Sequence, residues 1–168
     1  EDFRAFSDAA HDRDMRVIID LVLNHSGVQH PWFQASRDPE SEYADWYTWA
    51  DENPNFRGPD GQQVWHPLDG RFYYGVFWSG MPDLNYTNPD VTAEIYAITR
   101  FWLEDMNVDG FRLDAIKYMI EEGTAQENTA STHQWWRDYH AYVQSIKPEA
   151  LLVGEVWDST SLIDPYVG

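Results

Sequence analysis

The sequence contains no cysteine, which excludes disulfide bonds, thiolate catalysis and cysteine-bound zinc. That absence leaves the compartment open, since many secreted proteins also lack cysteine. Basic residues are scarce: 11 Lys and Arg stand against 29 Asp and Glu, a formal net charge of −18. A surface this acidic repels phosphate backbones and anionic headgroups, so neither nucleic acid nor an acidic membrane is an expected partner. Long apolar runs are missing too, and without a stretch of about 20 such residues no transmembrane helix is expected. Nothing has the layout of a signal peptide, and the sequence opens inside a helical stretch, EDFRAFSDAA, without an initiator Met. Aromatic residues, by contrast, are plentiful, with nine Trp and ten Tyr among 168 residues. Flat rings suit sugar faces, although most aromatics pack cores and interfaces.

The hydrophobic pattern reads helix, strand, long irregular stretch, helix, strand, helix, strand. Residues 2–13 place Phe3, Phe6 and Ala10 at helical spacing, and Arg16 to Leu23 is a run suited to a buried strand. Asn88 followed by Pro89 predicts a helix start, with Val91, Ile95, Ile98 and Trp102 on one face. Gly110 opens a strand to Asp114. Ser131 with Gln134 resembles a capping box for a third helix carrying Trp135, Tyr139, Tyr142 and Ile146, which must end before Pro148. Leu151 to Val156 is the last strand. Strands and helices alternating in this way imply βαβ units and a parallel sheet.

Residues 26–87 break the rhythm. Roughly sixty residues is too long for an ordinary strand-to-helix connection, so a small inserted domain is expected there between barrel parts 1–25 and 88–168. Within it, Asp69-Gly70 lies between VWH and RFYYG and predicts a hairpin. Only three strands of the main sheet are expected. An eight-stranded barrel needs roughly 200 residues or more, so the chain reads as the middle of a larger α/β protein.

Three of the expected strands stop at groups capable of acid–base or nucleophilic chemistry: DLVLNH at residues 20–25, GFRLD at 110–114 and GEVW at 154–157. Residues two apart on a strand share a face, so Arg112 and Asp114 point the same way. A guanidinium beside a carboxyl keeps it ionised, as a nucleophile requires. Glu155, beside Trp157 at the end of Leu-Leu-Val, is expected in an apolar setting that retains the proton a general acid donates. One ionised and one protonated carboxyl is the requirement for glycoside hydrolysis. The same residues also suit a structural ion pair and a helix-cap anion, and spacing alone leaves both open.

These segments, together with GMPDLNYTNPDV at residues 80–91, resemble the short signature regions of the α-amylase family of glycoside hydrolases, family 13. Their order, their spacing and the position of the insert all match. The resemblance implies a partial (β/α)8 barrel, strands 3 to 5, with its inserted domain after strand 3. It implies Asp114 as nucleophile, Glu155 as general acid and then base, and Arg112 as the group that positions Asp114. His25 would bond the sugar at the cleavage site, and Asp20 would buttress Arg112. Lys117 and Tyr118, one turn past the nucleophile, are candidate acceptor-side contacts, as is His66 in the insert hairpin. Many relatives bind a structural calcium at the insert junction; Asn24, Asp83 and the carbonyl of Tyr118 hold the matching positions, and a hard cation suits such oxygens.

The implied substrate is an α-glucan or maltooligosaccharide, cleaved with retention at α-1,4 bonds; nothing in the sequence fixes an oligomeric state. Ala115 after the nucleophile leans toward α-1,4 linkages. MPDLN, GEVWD and HPWFQAS resemble bacterial α-amylases lying between the oligo-1,6-glucosidase and neopullulanase subgroups. An α-glucosidase, an oligo-1,6-glucosidase or a trehalose-synthase-like transglycosylase is the alternative. A non-catalytic relative or a bare carbohydrate-binding module is disfavoured, because Asp114 and Glu155 are both present. The family's third acid, in an His-Asp pair after the seventh strand, has no counterpart here, so these 168 residues alone are expected to be inactive.

Overall fold

The computed structural model describes residues 1–167. In chain order its elements are α1 (Asp2–His11), β1 (Ile18–Leu21), α2 (Pro31–Ser36), β2 (Trp49–Ala50), β3 (Trp65–Leu68), β4 (Arg71–Tyr74), α3 (Pro89–Arg100), β5 (Gly110–Leu113), α4 (Ala130–Ile146), β6 (Leu151–Gly154) and α5 (Thr160–Ile163). The strands form two sheets, a parallel one in the order β1-β5-β6 and an antiparallel one in the order β2-β4-β3.

The parallel sheet is the expected run of consecutive barrel strands. Its register pairs Asp20 with Arg112 and Arg112 with Val153, so these side chains share a face. The opposite face sends Phe111 and Leu113 into the core with Val91 and Ile95 of α3 and Trp135, Tyr139 and Val143 of α4. Glycine is required at the start of β5: Gly110 has φ of 150°, and a Cβ there would lie 2.0 Å from the carbonyl oxygen of Leu151. That close approach draws β6 against β5.

Helix starts follow the sequence in one case and depart from it in another. Asn88 caps α3 by accepting from the backbone N–H of Asp90 at 2.9 Å, with Pro89 in the first turn. The helix runs on through a π-helical turn, Phe101–Asp105. The cap of α4 is Thr129, which accepts from Thr132 N at 3.1 Å, and not Ser131. Thr129 sits where the chain is still extended, whereas Ser131 already lies inside the helix and gives its N–H to Glu122.

Two burial expectations are corrected. Phe6 is 59% exposed, because the buried face of α1 runs through Ser7 and Ala10, and Ser7 donates to the Asn107 carbonyl. The Arg16–Leu23 run is a shorter strand with Ile18 and Val22 exposed. Ile18 and Val22 lie on the same face as Asp20 and Arg112, opposite the face that packs against the helices.

In the insert, β3 and β4 form the expected hairpin. Asp69 (φ 51°) and Gly70 (φ 80°) both adopt the left-handed conformation that two-residue hairpin turns demand. Two cores serve this region. Val64, Trp65, Tyr74 and Val76 cluster on their own, while Phe33, Trp46, Tyr47, Tyr73 and Leu84 join the core under the parallel sheet. Among the described residues, no helix is long and apolar enough to cross a membrane.

Candidate active site

Parallel strands present their final side chains at one rim, and here that rim collects charge. The Nη1 of Arg112 contacts both carboxylate oxygens of Asp20, at 2.7 and 2.9 Å, and Asp114 Oδ1 at 2.8 Å. Its Nη2 pairs with Glu155. Backbone pairing places the acids: the N–H of Glu155 donates to the Leu113 carbonyl at 2.8 Å, continuing the register so that Asp114 and Glu155 end adjoining strands. Neighbouring strands lie about 4.8 Å apart. The residue after Asp114, Ala115, is left-handed at φ 54°, and this sharp departure ends β5 at its acid.

Asp114 and Glu155 line a cleft of about 360 Å³ whose walls include Phe77, Met81, Lys117, Tyr118 and Trp157. A larger groove of about 490 Å³ lies between α4 and the chain's last turns, and none of the strand-end acids lines it. The environment of Glu155 differs from the apolar one expected. It meets the Arg112 guanidinium, and the indole N–H of Trp157 donates to its Oε1 at 2.9 Å. Trp157 itself is 82% exposed, so it lends a hydrogen bond and not a dry wall.

His25 sits beside this network, edge-on to Phe77 with ring centres 5.4 Å apart. Burial holds its imidazole below the ordinary value, while the charge of Asp114 pulls the other way. Tyr118 packs edge-on against the same Phe77. Lys117 faces the cleft, but its ammonium is taken by Glu127 and Asp158. His66 is not brought to the cleft. It is buried in the hairpin, its Nε2 within 3.0 Å of the Gly75 carbonyl and its ring tilted against Tyr73.

Buried acids meet at the junction of insert and sheet. A bridge between His25 and Asp83, with Leu84 N–H bonded to the Asn24 carbonyl, brings Asn24 and Asp83 together, both buried. Asn24 Nδ2, Asp83 Oδ2 and Glu121 Oε1 are all buried without a hydrogen-bond partner. Burial, reinforced by the charge of Glu121, pushes the Asp83 carboxyl well above the usual carboxylate range. Burial likewise carries Glu121 up to about 7. The two orphaned carboxylate oxygens suit a divalent ion, to which Asn24 would have to present its amide oxygen in place of Nδ2. Among the described residues no group of three or more His, Cys, Asp or Glu side chains converges on a metal position, so such a site would mix an amide and backbone carbonyl with the two carboxylates. Glu121 escaped the sequence reading; its signal is a charge directly after the apolar pair Met119-Ile120.

Comparison with known proteins agrees with this geometry. The family model described as "Alpha amylase, catalytic domain" matches residues 1–168. Alpha-amylase 3 of Dictyoglomus thermophilum is 41% identical over 167 residues, 99% of this chain and 31% of that protein. A trehalose synthase of Pimelobacter sp. is also 41% identical, over 100% of this chain and 31% of that protein. The crystal structure of an alpha-amylase from H. orenii superposes with a TM-score of 0.85 at 42% identity, covering 98% of this chain and 33% of that one. The chain thus spans about a third of the length of the curated relatives it matches. With its whole length matched by the family model and a parallel sheet that carries the strand-end acids, the chain belongs to the α-amylase family of glycoside hydrolases, as part of its barrel catalytic domain.

Proposed function

We propose that, in the full-length protein, this chain supplies the nucleophile and the acid/base for retaining hydrolysis of α-1,4-glucosidic bonds in starch and maltooligosaccharides. The carrying observation is one guanidinium shared by Asp114 and Glu155 at adjoining strand ends inside the cleft. The spacing of adjoining strands suits the carboxyl separation of about 5–5.5 Å that retention requires.

In the first half-reaction an Asp114 carboxylate oxygen attacks the anomeric carbon. The bond from that carbon to the glycosidic oxygen breaks, and Glu155 gives its proton to the departing oxygen. In the second, Glu155, now a carboxylate, takes a proton from water as the water oxygen attacks the same carbon and releases Asp114. The contacts of Glu155 with Arg112 and Trp157 match the carboxylate of this second half. His25, close enough to Asp114 to feel its charge, would bond the sugar held there. Asp20 fixes the far side of Arg112.

The same second half-reaction with a sugar hydroxyl in place of water is transglycosylation. This alternative is favoured by one observation: trehalose synthases match the chain as fully as an alpha-amylase does. Calcium bound by Asn24, Asp83, Glu121 and the Tyr118 carbonyl would clamp the insert to the barrel. Assaying the full-length protein on starch, isomaltose and maltose separates the readings. We expect short maltooligosaccharides from starch. Conversion of maltose to trehalose without starch cleavage would overturn the amylase reading.

A further inference from the structure

Lys117 lines the cleft, yet its ammonium is engaged by groups of the protein itself. An ammonium carries three N–H donors. Here it donates to Asp158 Oδ2 at 3.3 Å and the Trp157 carbonyl at 3.4 Å, and it forms an ion pair with Glu127 Oε2 at 2.7 Å. The side chain is only 13% exposed. Burial works against its charge, but Glu127, Tyr118 and Asp158 together hold the group protonated more firmly than an ordinary lysine. Asp158 is itself anchored. Asp158 accepts from Asn128 Nδ2 at 3.0 Å and from the Ser159 N–H at 2.8 Å. The Asn128 N–H returns to the Lys117 carbonyl at 2.8 Å, and its Oδ1 accepts from the Tyr166 hydroxyl.

The chain positions of these groups give the network its meaning. Lys117 lies three residues after Asp114, in the turn that begins with left-handed Ala115. Asp158 lies three residues after Glu155. Arg112 joins the two acids on the sheet face, and Lys117 joins the loops that leave them.

We propose that Lys117 is a positioning residue: it ties the turn behind Asp114 to the loop behind Glu155 and so fixes the two carboxyl groups relative to each other, without binding substrate. The inference rests on the proposed roles of Asp114 and Glu155. A shift of about 1 Å between reacting groups costs on the order of 100-fold in rate, so a tie of this kind acts on turnover and not on binding.

The test is steady-state kinetics of the full-length protein on maltotriose and maltoheptaose for wild type, Lys117→Met, Lys117→Arg, Asp158→Asn and the double variant Lys117→Met/Asp158→Asn. Lys117→Met is expected to lower kcat about 10- to 100-fold on both substrates, with KM changed less than about twofold. Lys117→Arg should recover most of the loss. Asp158→Asn should fall in the same direction, and the double variant should be no worse than Lys117→Met, as for two groups acting through one contact. A rise in KM that grows with substrate length at unchanged kcat would overturn the proposal and make Lys117 a sugar ligand. So would losses that simply multiply in the double variant. If Lys117→Met does not fold, Asp158→Asn and Lys117→Arg carry the same comparison of kcat with KM. A wild-type protein inactive on every α-glucan would instead remove the underlying assignment of Asp114 and Glu155.

Discussion

At the N-terminal end of β5 one carboxylate, Asp109, is gripped by two cations, a histidine and a backbone N–H; at the C-terminal end one cation, Arg112, is gripped by three carboxylates. Asp109 is buried and takes His11 Nε2 at 2.7 Å, Arg16 Nη1 at 3.1 Å, Lys147 Nζ at 3.3 Å and the Val17 N–H at 2.8 Å. Although burial opposes its charge, these donors win and hold the carboxyl far below the ordinary range. Asp20, Asp114 and Glu155 share Arg112 in a half-open cleft. The residue types are the same, and stoichiometry separates the roles. An anion with surplus donors has nothing left to do but stabilise, whereas anions short of cations and open to solvent remain available for chemistry. Barrels divide stability and catalysis between their two rims in the same way.

Replacing the acid at each end should give opposite results. Asp114→Asn is expected to cut turnover by about 10⁴-fold, equivalent to about 5.5 kcal/mol of barrier. Its thermal midpoint should stay level or rise, because one of three mutually repelling acids is gone. Loss of folding in Asp114→Asn, detected by circular dichroism, would show that the C-terminal network is structural after all.

The acid surplus at this rim extends to Asp83 and Glu121, and a bound cation would resolve it. Calcium at about 100 times its dissociation constant adds about 2.7 kcal/mol. Stripping divalent ions from the full-length protein should therefore lower its thermal midpoint, and calcium should restore it while Glu121→Gln blunts the response. An unchanged midpoint after chelation would remove calcium from the account.

Asp109→Asn is expected to cost about 2 kcal/mol of stability at neutral pH, with activity per folded molecule unchanged. The pH dependence has a definite sign. A carboxyl depressed on folding contributes stability above its unfolded value, and that contribution fades as the pH falls below about 4 toward the folded value. The gap between wild type and Asp109→Asn, followed by thermal melts from pH 7 downward, should close in acid. A gap independent of pH would mean that the loss comes from packing and not from charge.

Much of this layout is legible in the sequence because its cues are local. Asn88-Pro89 fixes a helix start, Asp69-Gly70 a hairpin turn, and the Arg-x-Asp spacing a shared strand face. What the sequence hides depends on partners distant along the chain. Nothing around Asp109 predicts His11 and Arg16 across almost a hundred residues. Glu155 looked apolar from its neighbours in sequence, yet the adjoining strand brings Arg112 to it. Lys117 looked like a sugar contact until Glu127 and Asp158 closed over it. His66 sits in an aromatic hairpin as expected, but it is buried against Tyr73 and the Gly75 carbonyl and does not reach the cleft.

The central claim is that Asp114 becomes covalently bonded to the sugar. Incubating the full-length protein with a fluorinated glucosyl fluoride, chosen so that the second half-reaction is slow, and mapping the adduct by peptide mass spectrometry tests it directly. With the anomeric fluoride released, one fluoroglucosyl adduct is expected, on Asp114, formed in wild type and absent in Asp114→Asn. An adduct on another residue, or turnover of the fluoride by Asp114→Asn at the wild-type rate, would contradict it.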